Sequence, residues 1–257
     1  MKNLLLEIGT EEIPSRFIPD ALRSLKERAE AAMSANRLAF RDVRTYATPR
    51  RLTLIITNVS DTQTEQVEEF KGPALANSYD QNGIPTRAAL GFAKSKGVDV
   101  GDLKEIEVNS VKYIAAVIRQ ESKQALEVLP EILIGLIAGL TFPKSMYWDN
   151  SGVRFARPVR WIVALADDKV IPFTFGGVQS GRKTSGHRFM GRRVIEIPNA
   201  SEYLDLLYDN NVILDQEKRL QKMKALIAAL QKDFDGNYEA ELDPAILEEN
   251  LYLVEYP

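Results

Sequence analysis

Between Gln124 and Leu140 the sequence writes a helix with little to offer water. Leu126, Leu129, Leu133, Leu136, Ile137 and Leu140 recur at helical spacing, and few polar residues occupy the remaining sides. A helix that is apolar over most of its surface belongs inside a protein. Its longest apolar run, Ile132 to Phe142, falls well below the ~18 residues of a membrane span. Other elements must therefore wrap it. At 257 residues, 45% of them hydrophobic, the chain has ample core for one large domain or two small ones.

The wrapping elements are legible in outline. Asn3 to Ile8 reads as a buried strand. Pro19 to Asn36 reads as an amphipathic helix with Ile18, Leu22, Leu25, Ala29, Ala32 and Met33 in register. Val43 to Ala47 and Leu52 to Val59 read as strands around the turn chemistry of Thr48-Pro49-Arg50-Arg51. Gln66 to Lys71 reads as a strand closed by Gly72-Pro73. Pro85 suits a helix N1 position, Arg87 to Lys96 continues helically, and Gly97 stops it. Ile106 to Val108 and Tyr113 to Arg119 suggest a strand pair. After the apolar helix come strands at Trp161 to Ala166, Val170 to Phe175 and Val194 to Ile197. Helical signals return at 201–208, where Asn199 and Glu202 have capping-box-like spacing, and at 215–232 behind Asp215.

Helices and strands are segregated without a βαβα rhythm. The expectation is α+β: several mixed helix/strand modules, with antiparallel sheets and helices packed on one face. Residues 1–62 with 123–200 form the expected body, 63–122 a small insert, and 201–257 the helical start of a further domain. The final run, Leu251 to Pro257, looks apolar and strand-like. Chain ends are usually polar, so the sequence reads as the front part of a longer protein.

Composition excludes much chemistry. There is no Cys and a single His, His187. Disulfides, thiolate nucleophiles, Cys-ligated metals and multi-His metal sites are ruled out. No Gly-x-Ser-x-Gly elbow accompanies His187, and no phosphate-cradling glycine loop is present. No signal peptide opens the chain, because Glu7 ends a short apolar run. A cytoplasmic protein without a membrane anchor is expected.

The net charge of −3 averages a strong asymmetry. Residues 144–193 hold 10 basic and 3 acidic residues, whereas 194–257 hold 5 basic and 14 acidic. An Arg-rich island of this kind suits phosphate or another polyanion. A solvated surface, or contacts to the acidic C-terminal segment, is the alternative.

Several local strings carry more information than any of these features. In order they are Leu5-Leu6-Glu7-Ile8-Gly9-Thr10-Glu11-Glu12-Ile13-Pro14, Thr48-Pro49-Arg50-Arg51-Leu52, Lys71-Gly72-Pro73 and Gly91-Phe92-Ala93. Then follow Phe142-Pro143-Lys144-Ser145-Met146, Phe155-Ala156-Arg157-Pro158-Val159-Arg160-Trp161, Gly186-His187-Arg188-Phe189 and Val254-Glu255-Tyr256-Pro257. Together they closely resemble the N-terminal part of the β subunit of bacterial heterotetrameric glycyl-tRNA synthetase. Two departures are Tyr147, where an Arg is expected before Trp148, and Tyr256, where Trp is common.

The resemblance implies a division of labour. The α subunit would carry the class II catalytic domain and activate glycine with ATP and Mg²⁺, leaving this part without a cofactor or catalytic residue of its own. The β subunit would bind and position tRNA(Gly) for glycyl transfer, within an α2β2 assembly that contains a second β subunit. An anticodon-binding region would lie beyond residue 257. A scaffold that docks α or assembles the tetramer without touching tRNA is the alternative. An independent enzyme using Glu11 or His187 is a third, weaker reading.

Candidate tRNA-facing residues are Arg50 and Arg51 in the Thr-Pro turn, Lys144, Arg154, Arg157 and Arg160. To these the densest part of the island adds Arg182, Lys183, His187, Arg188, Arg192 and Arg193. Arg and Lys suit A-form RNA, which is read through phosphates, 2′-hydroxyls and shape. The glycines among them would allow close backbone approach to a polyanion. Against this, Arg50 and Arg51 also fit a structural salt bridge, Lys144 fits a helix end, and His187 fits a hydrogen-bonding residue. Glu11 and Glu12, adjacent on a strand, should point apart.

Overall fold

A computed structural model describes residues 2–233 and 241–257. The chain runs β1 (Lys2–Thr10), α1 (Ile18–Ala35), β2 (Asp42–Thr48), β3 (Arg51–Val59), β4 (Gln66–Ala74), α2 (Leu75–Ser78) and α3 (Arg87–Lys96). It continues through β5 (Lys104–Val108), β6 (Val111–Gln120), α4 (Ala125–Ala138), β7 (Val159–Ala166), β8 (Lys169–Val170), β9 (Thr174–Phe175) and β10 (Val178–Gly181). The last elements are β11 (Lys183–Thr184), β12 (Ile195–Glu196), α5 (Tyr203–Tyr208), α6 (Gln216–Asp233) and α7 (Pro244–Leu251). This is an α+β chain of mostly antiparallel sheets, in two compact units: 1–63 with 124–257, and 64–123. Residues 201–257 fall within the first unit; 234–240 lie outside the described residues. Among the described residues no helix is long and apolar enough to cross a membrane.

The first unit is built on the sheet β2-β3-β1-β7-β10-β9, with β8 beside β7. Strand β1 lies at its centre, antiparallel to β3 and β7. Its residues alternate between two buried faces. Leu4, Leu6 and Ile8 enter the core formed with Leu25, Ala29 and Met33 of α1 and Leu129, Leu133 and Ile137 of α4. Leu5 faces the opposite way, under Ile197, Tyr203, Leu207 and Leu214. Both faces of the sheet are therefore covered, which explains why β1 is apolar nearly throughout. The apolar helix α4 buries one face, while Glu131, Gly135 and Ala138 remain exposed.

The second unit is the antiparallel sheet β4-β6-β5 with α2 and α3. Gly97 ends α3 in the left-handed conformation, φ 67°. Thr86 is its N-cap, so Pro85 lies one residue before the cap rather than at N1. Gly72-Pro73 does not close β4. The strand continues to Ala74 through a register shift, tolerated because β4 is an edge strand. A Cβ on Gly72 would meet the Phe92 ring at 2.6 Å, so two of the quoted strings meet here.

Other expectations change locally. Val170 to Phe175 is not one strand: it breaks at Pro172, where the Ser180 hydroxyl accepts from Phe173 N (2.9 Å) and donates to Ile171 O (2.7 Å). The apolar run from Leu251 is a helix end followed by turns, not a strand. Asp215 does cap α6, accepting from the amides of Glu217 and Lys218.

Candidate nucleic-acid interface

The island's local structure depends on a polar centre inside the first unit. Glu7 is fully buried on β1, on the Leu5 face. Its carboxylate accepts from Thr184 Oγ1 (2.6 Å), Trp161 Nε1 and Tyr203 OH. Arg51, also fully buried, lies 3.8 Å from Glu7 Oε1 and 3.2 Å from Glu255 Oε1. Thr48 Oγ1 donates to the same Glu255 oxygen (2.8 Å), and Arg50 approaches Glu255 Oε2 at 3.6 Å. Two carboxylates thus face two guanidinium groups, the compensation that buried charge requires. Burial opposes the Arg51 charge, yet Glu255 and Glu7 outweigh it and hold the pKa above its ordinary value. Burial, then the Glu7 charge, drive the Tyr203 phenol well upward.

This corrects one expectation. Arg51 has no exposed surface and is a structural ion pair, not an RNA contact. Arg50 is only 14% exposed, faces the Trp161 ring at 5.6 Å, and belongs mainly to the same centre. The contact with the acidic C-terminal segment made here, through Glu255, comes from Thr48, Arg50 and Arg51, which lie outside the 144–193 island.

The surface cations form three groups. Arg157, Arg160 and Arg188 surround the end of β1. Arg160 Nε donates to Glu11 Oε1 (2.8 Å), Arg188 reaches Glu11 Oε2 (3.8 Å) and Glu12 Oε1 (3.4 Å), and Arg157 Nε donates to Glu12 O (3.1 Å). Glu11 and Glu12 do not point apart, because the strand has ended at Thr10. The second group is Lys144 and Arg154, exposed on either side of the Met146–Phe155 bridge; Arg154 donates to Ser145 O and covers the Tyr147 ring at 5.0 Å.

The third group is the β11–β12 hairpin. Lys183, Arg192 and Arg193 are exposed and have no carboxylate partner among the described residues. No residue from 183 to 195 is acidic. The loop backbone is held by Gly186 N to Arg192 O (2.8 Å) and Gly191 N to His187 O (2.9 Å). His187 Nδ1 accepts from the amides of Phe189 (3.3 Å) and Met190 (3.2 Å), the structural role its alternative reading assigned. Arg182 is half-buried and spends its guanidinium on the carbonyls of Asp168, Ile197 and Pro198, bracing the hairpin base. The loop glycines serve internal packing: a Cβ on Gly191 would meet Asn210 O at 2.4 Å, and one on Gly186 the Asn210 Cβ at 2.9 Å.

Sequence reasoning missed Glu7, Thr184, Tyr203 and Glu255. The available signal was a Glu inside an otherwise apolar strand, which needs a buried cation.

A family model described as "Glycyl-tRNA synthetase beta subunit" matches residues 4–257. The chain is 43% identical over 258 residues to the glycine–tRNA ligase beta subunit of Clostridioides difficile, covering 100% of this chain and 37% of that protein. It is 42% identical over 256 residues to the protein of that name from Moorella thermoacetica, again 100% of this chain and 37% of the relative. With Trichlorobacter lovleyi the figures are 43% over 256 residues, 100% and 37%. The chain therefore spans little more than a third of the length of these curated relatives.

Proposed function

The chain belongs to the glycyl-tRNA synthetase beta subunit family, and from that premise we propose that it holds tRNA(Gly) for a glycine–tRNA ligase. The reaction, ATP-dependent glycylation, would be catalysed on an α subunit that binds glycine, ATP and Mg²⁺. This part would contribute position rather than chemistry, within a cytoplasmic α2β2 assembly. Holding the acceptor arm still would make transfer to its 3′ end effectively intramolecular.

One observation carries this reading: Lys183, Arg192 and Arg193 project from a hydrogen-bonded hairpin whose connecting loop holds no acid, and although Glu196 lies opposite Lys183 in register, none of the three has an ion-pair partner among the described residues. Cations in that state are available to phosphates. Arg157, Arg160 and Arg188 are a reserve, since exposed ion pairs contribute only about 0–1 kcal/mol and exchange readily for a phosphate. Lys144 and Arg154 would extend the surface.

The test uses the assembled ligase. Arg192→Glu with Arg193→Glu should weaken tRNA(Gly) binding at least tenfold in a filter titration and lower aminoacylation. Glycine-dependent ATP–pyrophosphate exchange should stay near wild type. Unchanged tRNA affinity would remove the hairpin from the interface.

The scaffold reading is favoured by one feature. Met146 and Tyr147 are 40% and 58% exposed, whereas the neighbouring Phe142 and Trp148 pack on the core. Apolar exposure of this kind suits a docking contact with α. Loss of α–β association on Met146→Asp with Tyr147→Asp, with tRNA affinity retained, would support that role for the 144–155 segment.

A further inference from the structure

At the tip of the β11–β12 hairpin Phe189 is 87% exposed, the highest value among the large hydrophobic residues described, and Met190 beside it is 53% exposed. Exposure on this scale is costly for an aromatic ring and points to a partner. The ring does not dangle from a loose loop. Both tip amides are bound by His187 Nδ1, and Met190 O accepts from Asn211 Nδ2 (3.1 Å). His187 N donates to Asn210 O (3.0 Å) and Arg192 N to Asn210 Oδ1 (3.3 Å), tying the loop to the turn after α5. The root is fixed too, through Thr184 and Glu7. The fold thus holds the backbone that carries an exposed aromatic ring, with Arg188 just before it and Arg192 and Arg193 just after it in sequence.

We propose that Phe189 is a stacking platform for an unpaired RNA base, with Arg192 and Arg193 holding the flanking phosphates. An aromatic face set among cations is the chemistry by which single-stranded nucleic acid is held without sequence readout. A base inside an A-form stem offers no open face to a protruding ring; an unpaired nucleotide does. The absence of acid from 183 to 195 fits a polyanion better than it fits a protein pocket. The inference rests on the tRNA-holding reading above and narrows it to an unpaired nucleotide.

The experiment measures affinity of the assembled ligase for two probes: a tRNA(Gly) transcript, and a blunt-ended duplex with its acceptor-stem sequence. Phe189→Ala should bind the transcript about tenfold more weakly, within the range for loss of one base–aromatic stack, and the blunt duplex as tightly as wild type. Phe189→Trp should bind both within twofold of wild type. Because the side chain is exposed, neither variant should change thermal unfolding. Wild-type affinity of Phe189→Ala for the transcript overturns the proposal. If Arg192→Glu with Arg193→Glu still weakens binding in that case, only the stack is lost and the tRNA-holding reading stands; if it does not, both fall. Equal weakening on transcript and duplex overturns the unpaired base. Loss of α subunit on co-sedimentation, with transcript affinity of the intact assembly unchanged, overturns it in favour of a protein contact.

Discussion

Arg51 stands between two buried carboxylates, Glu7 and Glu255, so it cannot be removed alone. Arg51→Met leaves Glu7 without a cation and Glu255 with Arg50 alone at 3.6 Å, and should cost about 3–5 kcal/mol in urea unfolding. Gly9 is fixed by an equally local fact. It pairs with Trp161 across β1 and β7, and a Cβ there would fall 1.9 Å from the indole. Gly9→Ala should therefore cost about 2–3 kcal/mol, as overpacking does. Tyr203 sets a pH dependence. Its phenol is held well above its ordinary value by burial and by Glu7, while the unfolded chain ionises near pH 10. The unfolded state releases protons first, so stability is retained below pH 10 and falls as pH rises beyond it. Tyr203→Phe should flatten that fall, measured by urea midpoints between pH 8 and 11. None of this centre could be read from neighbours in sequence. Arg50 and Arg51 look alike as adjacent cations and both approach Glu255; the further contact of Arg51 with Glu7 separates the fully buried one from the partly exposed one.

At the scale of elements, legibility followed length. The helix α1 and the strands β1 and β3 each carry enough residues for a period to show, and their spans match the sequence reading within a few residues. The two-residue strands β8, β9, β11 and β12 have no period to read; they exist because β7 and the hairpin contacts place them. The hairpin loop is the clearest case. Its glycines suggested approach to a polyanion, yet Gly186 and Gly191 are small because Asn210 crosses behind them. His187 supplies order there, through the amides of Phe189 and Met190. His187→Ala should speed amide exchange at Phe189 and Met190 roughly fivefold, the equivalent of about 1 kcal/mol of hydrogen bonding. Unchanged protection at both amides would show that the imidazole does not hold the tip.

Over the whole chain, the ordered strings of the sequence are explained by their meeting in pairs. Gly9 meets Trp161, Thr48 and Arg51 meet Glu255, Gly72 meets Phe92, and Phe142 stacks edge-on against Phe155 at 4.8 Å. Most of these strings thus meet inside the fold. The candidate cations divide accordingly: Arg50, Arg51 and Arg182 are spent on the fold, Arg157, Arg160 and Arg188 are shared with carboxylates or carbonyls, and Lys183, Arg192 and Arg193 are exposed without an ion-pair partner among the described residues, which we propose leaves them for a ligand. That division is the central claim, and salt dependence tests it most directly. Each phosphate contact contributes about 0.7–0.9 to the slope of log affinity against log salt. For tRNA(Gly) binding to the assembled ligase, replacing Lys183, Arg192 and Arg193 together by Gln should lower that slope by roughly 2–3. A slope equal to wild type would contradict the account.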